Sequence, residues 1–345
     1  MTADNKKLEN NFSLNELPSD YQFNGIDIAK FIGAYLICMI HISPLTSDMI
    51  YAETINFWLQ QCFCRIAVPF YFTVSGFLLF RKIDLRNIDT ERIKKYCFKL
   101  LRLLGTWTLL LFVGGQGHLW YLGAVVVATV VLTVLLKYKL KYIVLISALF
   151  YVIGLLGDTY YIIIKNYSLI HRIFSVYLDY FDSTRNGIFL GLIFVLMGLI
   201  FAHKRIVINN KIAFIGWIIS VLLLVFEVYI LRYFKHIEEG NMYIFLLPET
   251  FFLFYFVSHI KLKPRAIYGK IRVIGMLIFY LHLFVKFWAT KIIGIILYFK
   301  GMYIFGIEVY WLLFGLTIIL TTVLAIFIEH MSHKEKFKWL RYLYS

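Results

Sequence analysis

Ten runs of apolar residues follow one another along this chain, and they leave little room for anything else. They begin near Ile26, Ile55, Leu100, Leu119, Ile143, Gly187, Ile212, Met242, Val273 and Met302. They end near Pro44, Phe80, Val113, Leu136, Ile164, Ala202, Leu231, Ile260, Ile293 and Ile328. A helix of about 20 apolar residues crosses the hydrocarbon core of a bilayer. The runs are continuous rather than alternating, which favours helices over an outer-membrane barrel. Composition agrees: 61% of the 345 residues are hydrophobic and 16% charged, against about 45–50% and about 25% in soluble domains. The expectation is an all-α polytopic membrane protein with about ten transmembrane helices. A soluble enzyme, a disulfide scaffold and a large extramembrane catalytic domain are excluded. The third run is the weakest: it is short, carries Arg102 and ends in Gly114-Gly115-Gln116-Gly117.

Cations settle the orientation. With both termini in the cytoplasm, the inner segments hold 24 Lys and Arg and the outer ones 6, of 35 in all. The outer six are Lys165, Arg172, Arg185, Arg232, Lys235 and Lys300; Lys6 and Lys7 count among the inner. Cytoplasmic loops collect Lys and Arg, so this distribution accounts for the net charge of +15 without nucleic acid. The expected organisation is a cytoplasmic tail over 1–25, a transmembrane domain over 26–328 and a cytoplasmic tail over 329–345. No cleavable signal peptide is expected before the first run. Residues 81–102 read as a solvated basic helix at anionic lipid or as support for a cytosolic anionic ligand. Residues 165–185 read as an outer segment on the membrane or over a cavity. Cys38, Cys62, Cys64 and Cys97 lack metal or redox spacing and read as packing residues.

An ionisable group inside a membrane needs a reason to be there. Lys30 and His41 are eleven positions apart, three helical turns plus about 20°, so they share a face with roughly 16 Å between them. One face thus bears a cation near the cytoplasm and a base near the outer surface; snorkelling for Lys30 and a buried hydrogen bond for His41 are the plainer alternative. Arg65 lies below the outer surface and needs an acceptor. Pro69 frees a backbone carbonyl and Ser75-Gly76 permits close helix packing. Glu227 and Glu249 lie in outer halves of helices and read as acidic groups or as partners for Arg65 or Arg185. His118 reads as part of an aromatic belt with Trp120 and Tyr121 or as a site residue; His282, near mid-membrane, reads as facing a polar cavity. His41, His118 and His282 have no zinc-site spacing, and no metal is expected.

Several of these residues fall into a known pattern. Gly25-Ile26-Asp27, Lys30-x10-His41 and the stretch from Arg65 through Pro69-Phe70-Tyr71-Phe72-Thr73-Val74-Ser75-Gly76 to Leu79 resemble the membrane acyltransferase family 3. So do His118-Leu119-Trp120-Tyr121-Leu122 and Ile278-Phe279-Tyr280-Leu281-His282. The likeness covers about residues 24–328. Within the family, Ile40-His41-Ile42-Ser43-Pro44-Leu45, Gly154-Leu155-Leu156-Gly157-Asp158-Thr159-Tyr160-Tyr161 and Thr184-Arg185-Asn186-Gly187-Ile188-Phe189 look most like the membrane domain of the VanT-type serine racemases of vancomycin-resistant bacteria. Proteins of that branch continue into a soluble pyridoxal-phosphate racemase domain, and some acyltransferase relatives carry a fused esterase-like domain; neither is expected within these 345 residues. Lys30 departs from the commoner Arg, which alone makes a bidentate fork to phosphate. The segment 104–118 is shorter than the resemblance leads one to expect, and this bears on whether the protein is active.

The resemblance implies transfer of an acyl group, most simply acetyl, from cytosolic acyl-CoA as co-substrate to a hydroxyl of an extracytoplasmic cell-envelope glycan or related acceptor. It implies a multi-pass protein of the cell membrane. His41 is then the candidate general base, with Arg65 and Asp27 beside it in the catalytic group and Lys30 on the donor. Ser75, His118, Trp120, Tyr121, Arg185, Glu249 and His282 are acceptor-side candidates. Asp27 is expected to pair with a cation such as Lys30. Two other classes stand beside this one: a carrier supplying serine or a similar amino acid for cell-wall synthesis, and a non-catalytic scaffold.

Overall fold

The computed structural model describes residues 13–18, 21–43, 50–112, 117–235, 240–299 and 307–345. Expectations resting on Lys6, Lys7, Pro44, Leu45, residues 113–116 and Lys300 lie outside the described residues. Among the described residues the regular structure is helical. In chain order α1 is Asn24–Ile42, α2 Thr54–Phe80, α3 Thr90–Leu110, α4 Trp120–Leu135, α5 Leu140–Leu156, α6 Ser168–Phe181, α7 Gly187–His203, α8 Asn210–Lys235, α9 Leu246–Ser258, α10 Ala266–Phe299 and α11 Ile307–Ser332. A 3-10 segment, Glu335–Leu343, follows. Five helices are long and apolar enough to cross a membrane: α1, α2, and the parts Asn210–Phe234 of α8, Ala266–Ile296 of α10 and Val309–Ser332 of α11. The helices α4, α5, α7 and α9 are apolar but shorter. The chain is a membrane protein.

The third apolar run turns out to be the second half of a longer helix. Asp89 opens α3 by accepting the Arg92 backbone N–H at 2.9 Å, the contact an N-terminal carboxylate makes with an otherwise unpaired donor. That backbone N–H, helped by the Arg92 side chain, holds the Asp89 carboxyl below its usual range. Glu91 and Lys94 pair at 2.7 Å one turn on. The basic segment and the run from Leu100 therefore form one continuous helix: its start is polar and exposed, while Leu103 and Trp107 near its end are 2% exposed.

The chain divides into two compact units with interleaved segments. The first comprises Met1–Ile26, Val68–Phe98 and Gly123–Lys261. Here the end of α2 meets α7 without side chains between them. A Cβ on Gly76 would overlap the Val195 carbonyl, and one on Gly198 would overlap the Thr73 carbonyl and the Phe77 nitrogen. Small residues at such crossings let backbones approach, which is how helices gain packing energy in lipid. Part of the expected N-terminal tail is built into this unit. Ser13 Oγ accepts the Ile206 N–H at 3.1 Å, and the Arg81 guanidinium lies 4.7 Å from the Phe23 ring centre. The expected outer segment 165–185 contains α6, none of whose residues is buried.

The second unit comprises Asp27–Ala67, Lys99–Leu122 and Leu262–Ser345. Its core gathers Ala34, Cys38 and Ile42 of α1, Leu103 and Trp107 of α3, and Leu277, Ile278, Tyr280 and Leu281 of α10. Trp107 stacks on Tyr280 at 4.9 Å and 17°. Its Nε1 donates to the Leu343 carbonyl at 2.9 Å, so the expected C-terminal tail is also docked. The short segment 104–118 thus still delivers Trp107, Leu111 and His118 to buried positions.

Two glycines give opposite expectations. Gly198→Ala forces a methyl into backbone and should cost about 1–3 kcal/mol, read as a lower midpoint in thermal unfolding of the purified protein. Gly105→Ala, with open space at its Cβ, should leave the midpoint unchanged or raise it, because Ala favours a helix over Gly by up to about 1 kcal/mol. Equal midpoints for the two variants would refute the close crossing of α2 and α7.

Candidate imidazole and ion-pair site

The residues singled out in the sequence fall into both units. Asp27, Lys30, His41, Arg65, His118, Trp120, Tyr121 and His282 belong to the second; Ser75, Arg185 and Glu249 belong to the first. In the second unit the site is organised by α1 and α10, which run parallel. Asp27 is 5% exposed and accepts both Arg272 Nε at 2.8 Å and Arg272 Nη2 at 2.6 Å. The fork geometry is the one carboxylate and guanidinium favour. Phe31 faces Gly275, where a Cβ would sit 3.2 Å from the Phe31 Cα. At the other end Lys286 Nζ donates to the His41 carbonyl. A cation there meets the unpaired carbonyls of the last turn of α1. The two polar contacts are both 245 residues apart in sequence, so the two helices advance in step.

Asp27 therefore takes Arg272 as its bidentate partner, and Lys30 lies near Asp27, Arg272 and Lys99. Arg272 and Lys286 belong to none of the motifs read in the sequence, and no local spacing links either to α1. The irregular start of α2 is fastened to the same end of α1. A π-turn, Leu59–Phe63, and a 3-10 turn, Cys64–Ile66, interrupt the helix ahead of Pro69. Gln60 Nε2 donates from this turn to Ser43 Oγ at 2.6 Å. Arg65, expected to find an acceptor, has a buried Nε with no hydrogen-bond partner.

Beside this end lie three imidazoles. His282 sits 4.7 Å from His118 and 5.4 Å from His41 between ring centres, and His41 and His118 are 6.3 Å apart. His282 is 0% and His118 2% exposed. Ring nitrogens His118 Nδ1, His118 Nε2 and His282 Nε2 make no well-formed hydrogen bond, though the Tyr280 backbone lies beside His118. Phe279 packs edge-on against His118 at 5.2 Å and against Tyr121 at 6.0 Å. Three residues spread over 241 positions are thus neighbours, which sequence spacing could not reveal. No group of three His, Cys, Asp or Glu side chains among the described residues is disposed to hold a metal ion.

The candidates in the first unit are held by fixed partners. Arg185 Nη1 donates to Asn241 Oδ1 at 2.7 Å, and Asn241 is in turn bound through its backbone and side chain by Asp158. Glu249 is fully buried and accepts Trp217 Nε1 at 2.9 Å and Thr250 Oγ1 at 3.3 Å. Glu227 accepts the Tyr160 hydroxyl and the Ile244 and Phe245 N–H groups. The donors that meet each glutamate within the first unit do not include Arg185, the partner that one alternative gave them. Ser75 lies within hydrogen-bonding reach of Tyr96.

Removing Arg272 leaves the Asp27 carboxylate buried without its bidentate partner. Because Arg272 is 42% exposed, the loss is smaller than for a fully buried pair, roughly 1–3 kcal/mol. Arg272→Ala should lower the unfolding midpoint, and adding Asp27→Asn should recover part of the loss, the non-additivity of directly paired groups. Strict additivity of the two changes would show that the pair does not hold α1 to α10.

Comparison with known proteins identifies the surroundings of this site. Residues 23–117, which carry Asp27, Lys30, His41 and Arg65, match the family model described as an acyltransferase domain. An amino-acid racemase of Enterococcus faecalis is 31% identical over 71% of this chain and 37% of its own length. A second from the same organism is 25% identical over 76% of this chain and 41% of its own. A serine/alanine racemase of Enterococcus gallinarum is 28% identical over 67% of this chain and 36% of its own. The chain spans about two fifths of the length of these relatives. No solved structure matches it. The likeness drawn from the motifs is met on both counts: residues 23–117 match the acyltransferase family model, and about seven tenths of the chain is similar to the enterococcal racemases.

Proposed function

We propose that this chain is an acyltransferase of the cell membrane that moves an acyl group, most simply acetyl, from cytosolic acyl-CoA to a hydroxyl of an extracytoplasmic envelope glycan or related acceptor. The observation that carries this reading is the parallel pairing of α1 and α10, with cations around Asp27 at one end and imidazoles around His41 at the other. Lys30, about 16 Å from His41 along the helix, meets phosphate of the CoA or lines the path of its pantetheine arm. At the outer end the acceptor oxygen attacks the thioester carbonyl, the C–S bond breaks, and His41 takes the hydroxyl proton and returns it to the departing thiolate. Imidazole titrates near neutral pH and suits both steps. Arg65 stabilises the oxyanion that develops on the carbonyl.

The same pairing supports ten spans with both termini in the cytoplasm. Parallel helices that both cross the bilayer need an odd number of crossings between them. The apolar helices between α1 and α10 are α2, α4, α5, α7, α8 and α9, an even number, so α3 supplies the missing crossing. Its neighbours agree: Lys99 lies near Lys30 and His118 near His41, so α3 climbs alongside α1.

The names of the relatives favour one other reading, a carrier that supplies serine or a similar amino acid. The two readings separate on a single protein. Purified protein in lipid vesicles, given labelled acetyl-CoA and an envelope glycan, should pass label to the glycan. His41→Ala should reduce that transfer by about 10²–10⁴-fold and leave acetyl-CoA binding intact. Serine uptake without any labelled product in the wild type would establish the carrier instead. Lys30→Ala should weaken acetyl-CoA binding more than Lys30→Arg; unchanged binding in both would remove Lys30 from the donor site. A cysteine placed at Ser183 should be labelled from outside intact cells and one at Asp89 should not; labelling at Asp89 would overturn the orientation.

A further inference from the structure

We infer that α6 lies in the plane of the membrane at its outer surface, with one apolar side seated in the lipid of the outer leaflet. Its 14 residues rise about 21 Å, short of the roughly 30 Å of hydrocarbon that a span has to cross. The side chains fall on three sides instead. Leu169, Ile173, Val176 and Tyr180 recur at i, i+4, i+7 and i+11 and point within about 60° of one another. These four are 51–81% exposed. Ser168, His171, Ser175 and Asp179 form a polar strip roughly a third of a turn away. Phe174 and Tyr177 take the remaining side, and both are tied to the protein. A Cβ on Gly157 would lie 2.6 Å from the Phe174 ring. Tyr177 Oη accepts Asn186 Nδ2 at 2.8 Å, and its ring meets Phe189 edge-on at 5.7 Å. The ends of α5 and α7 therefore fix which way the apolar stripe faces.

The place of α6 in the chain names what covers that stripe. Lys137, Lys139 and Lys141 stand before or at the start of α5, and Lys204 and Arg205 follow α7. Such cations mark cytoplasmic ends, so α6, which joins the opposite ends of these two apolar helices, lies at the outer surface. The same unit turns Leu145, Leu149 and Val152 of α5 outward, the i, i+4, i+7 side that a span gives to lipid, so lipid already meets the unit one helix away. A helix with a polar strip, a separate apolar stripe and a cation at their border is the pattern that sits about 5–10 Å into the headgroup boundary. Arg172 is that cation: it is exposed and stands about 40° round the helix from Val176, where its stem follows the apolar side and its guanidinium reaches headgroup phosphate. Tyr180 and Phe181, both exposed, add aromatic rings at the level where such rings gather. The loop from Asp182 to Asn186, which carries Arg185, is thereby held at headgroup level rather than out in water. None of this depends on which reaction the chain performs.

The test places single nitroxide labels on the full chain in nanodiscs of phosphatidylglycerol and phosphatidylethanolamine. Cys38, Cys62, Cys64 and Cys97 are all buried, so a new surface cysteine takes the label. Ile173→Cys and Tyr180→Cys probe the stripe, Asp179→Cys the polar strip, and Leu149→Cys serves as the lipid-facing reference. Oxygen concentrates in lipid and a nickel chelate stays in water. The ratio of relaxation by oxygen to relaxation by nickel should be several-fold higher at 173 and 180 than at 179, and should approach the ratio at 149. In intact cells an impermeant thiol reagent should reach the cysteine at 179 from outside. Equal ratios at 173, 180 and 179 would show that the helix stands clear of the bilayer and would overturn the inference. Spin–spin broadening between labels at 173 would assign the stripe to a second copy of the chain and overturn it as well. Reaction at 179 from the cytoplasmic side alone would overturn the choice of leaflet.

Discussion

The Asp27–Arg272 ion pair fixes the part of the molecule on which the candidate chemistry depends. A carboxylate taken out of water is costly unless it is paired and hydrogen-bonded, and Asp27 is buried. The forked contact with Arg272 satisfies both of its oxygens. Because Lys286 meets the His41 carbonyl at the same sequence offset, a slip of α10 by one turn would break both contacts together. Register is therefore held at two points nearly the full length of α1 apart. The level of His282 relative to His41 follows from that register and needs no separate device.

Much of this was legible in the sequence, for reasons that can be named. Lipid demands continuous apolar helices, so the runs marked α1, α2, α8, α10 and α11 directly. The spacing of Lys30 and His41 is a within-helix property and could be read from helical geometry. Asp158 and Asn186, inside motifs noticed for their likeness to a known branch, became intelligible only once their partners were in view. Asp158 binds the backbone and side chain of Asn241, and Asn186 Oδ1 caps α7 by accepting the Ile188 and Phe189 N–H groups.

What stayed hidden was pairing across the chain. Nothing near Asp27 says that its partner is Arg272 rather than Lys30, because the choice depends on how two distant helices pack. The assembly of His41, His118 and His282 is hidden for the same reason. The α3 boundary failed differently. Charge density along the helix suggested two elements, a wet basic one and a dry apolar one. A helix has no need to end where its polarity changes, and between Thr90 and Leu110 only Gly105 weakens its continuation.

The two units make different use of buried polar groups, and this separates architecture from chemistry. Glu227 meets a hydroxyl and two backbone N–H groups, Glu249 an indole and a hydroxyl, and Asp158 the loop at Asn241 and Met242. Each carboxylate is met by donors that the fold itself supplies, so each tightens the packing of its helices and presents no oxygen that lacks a protein partner. The imidazole cluster is the reverse case. His282 Nε2 is buried beside the other two imidazoles and makes no hydrogen bond among the described residues. The motifs around Asp158 and Arg185, which carry much of the likeness to the racemase branch, therefore describe how the first unit is built. The chemistry proposed for the chain rests on the second unit.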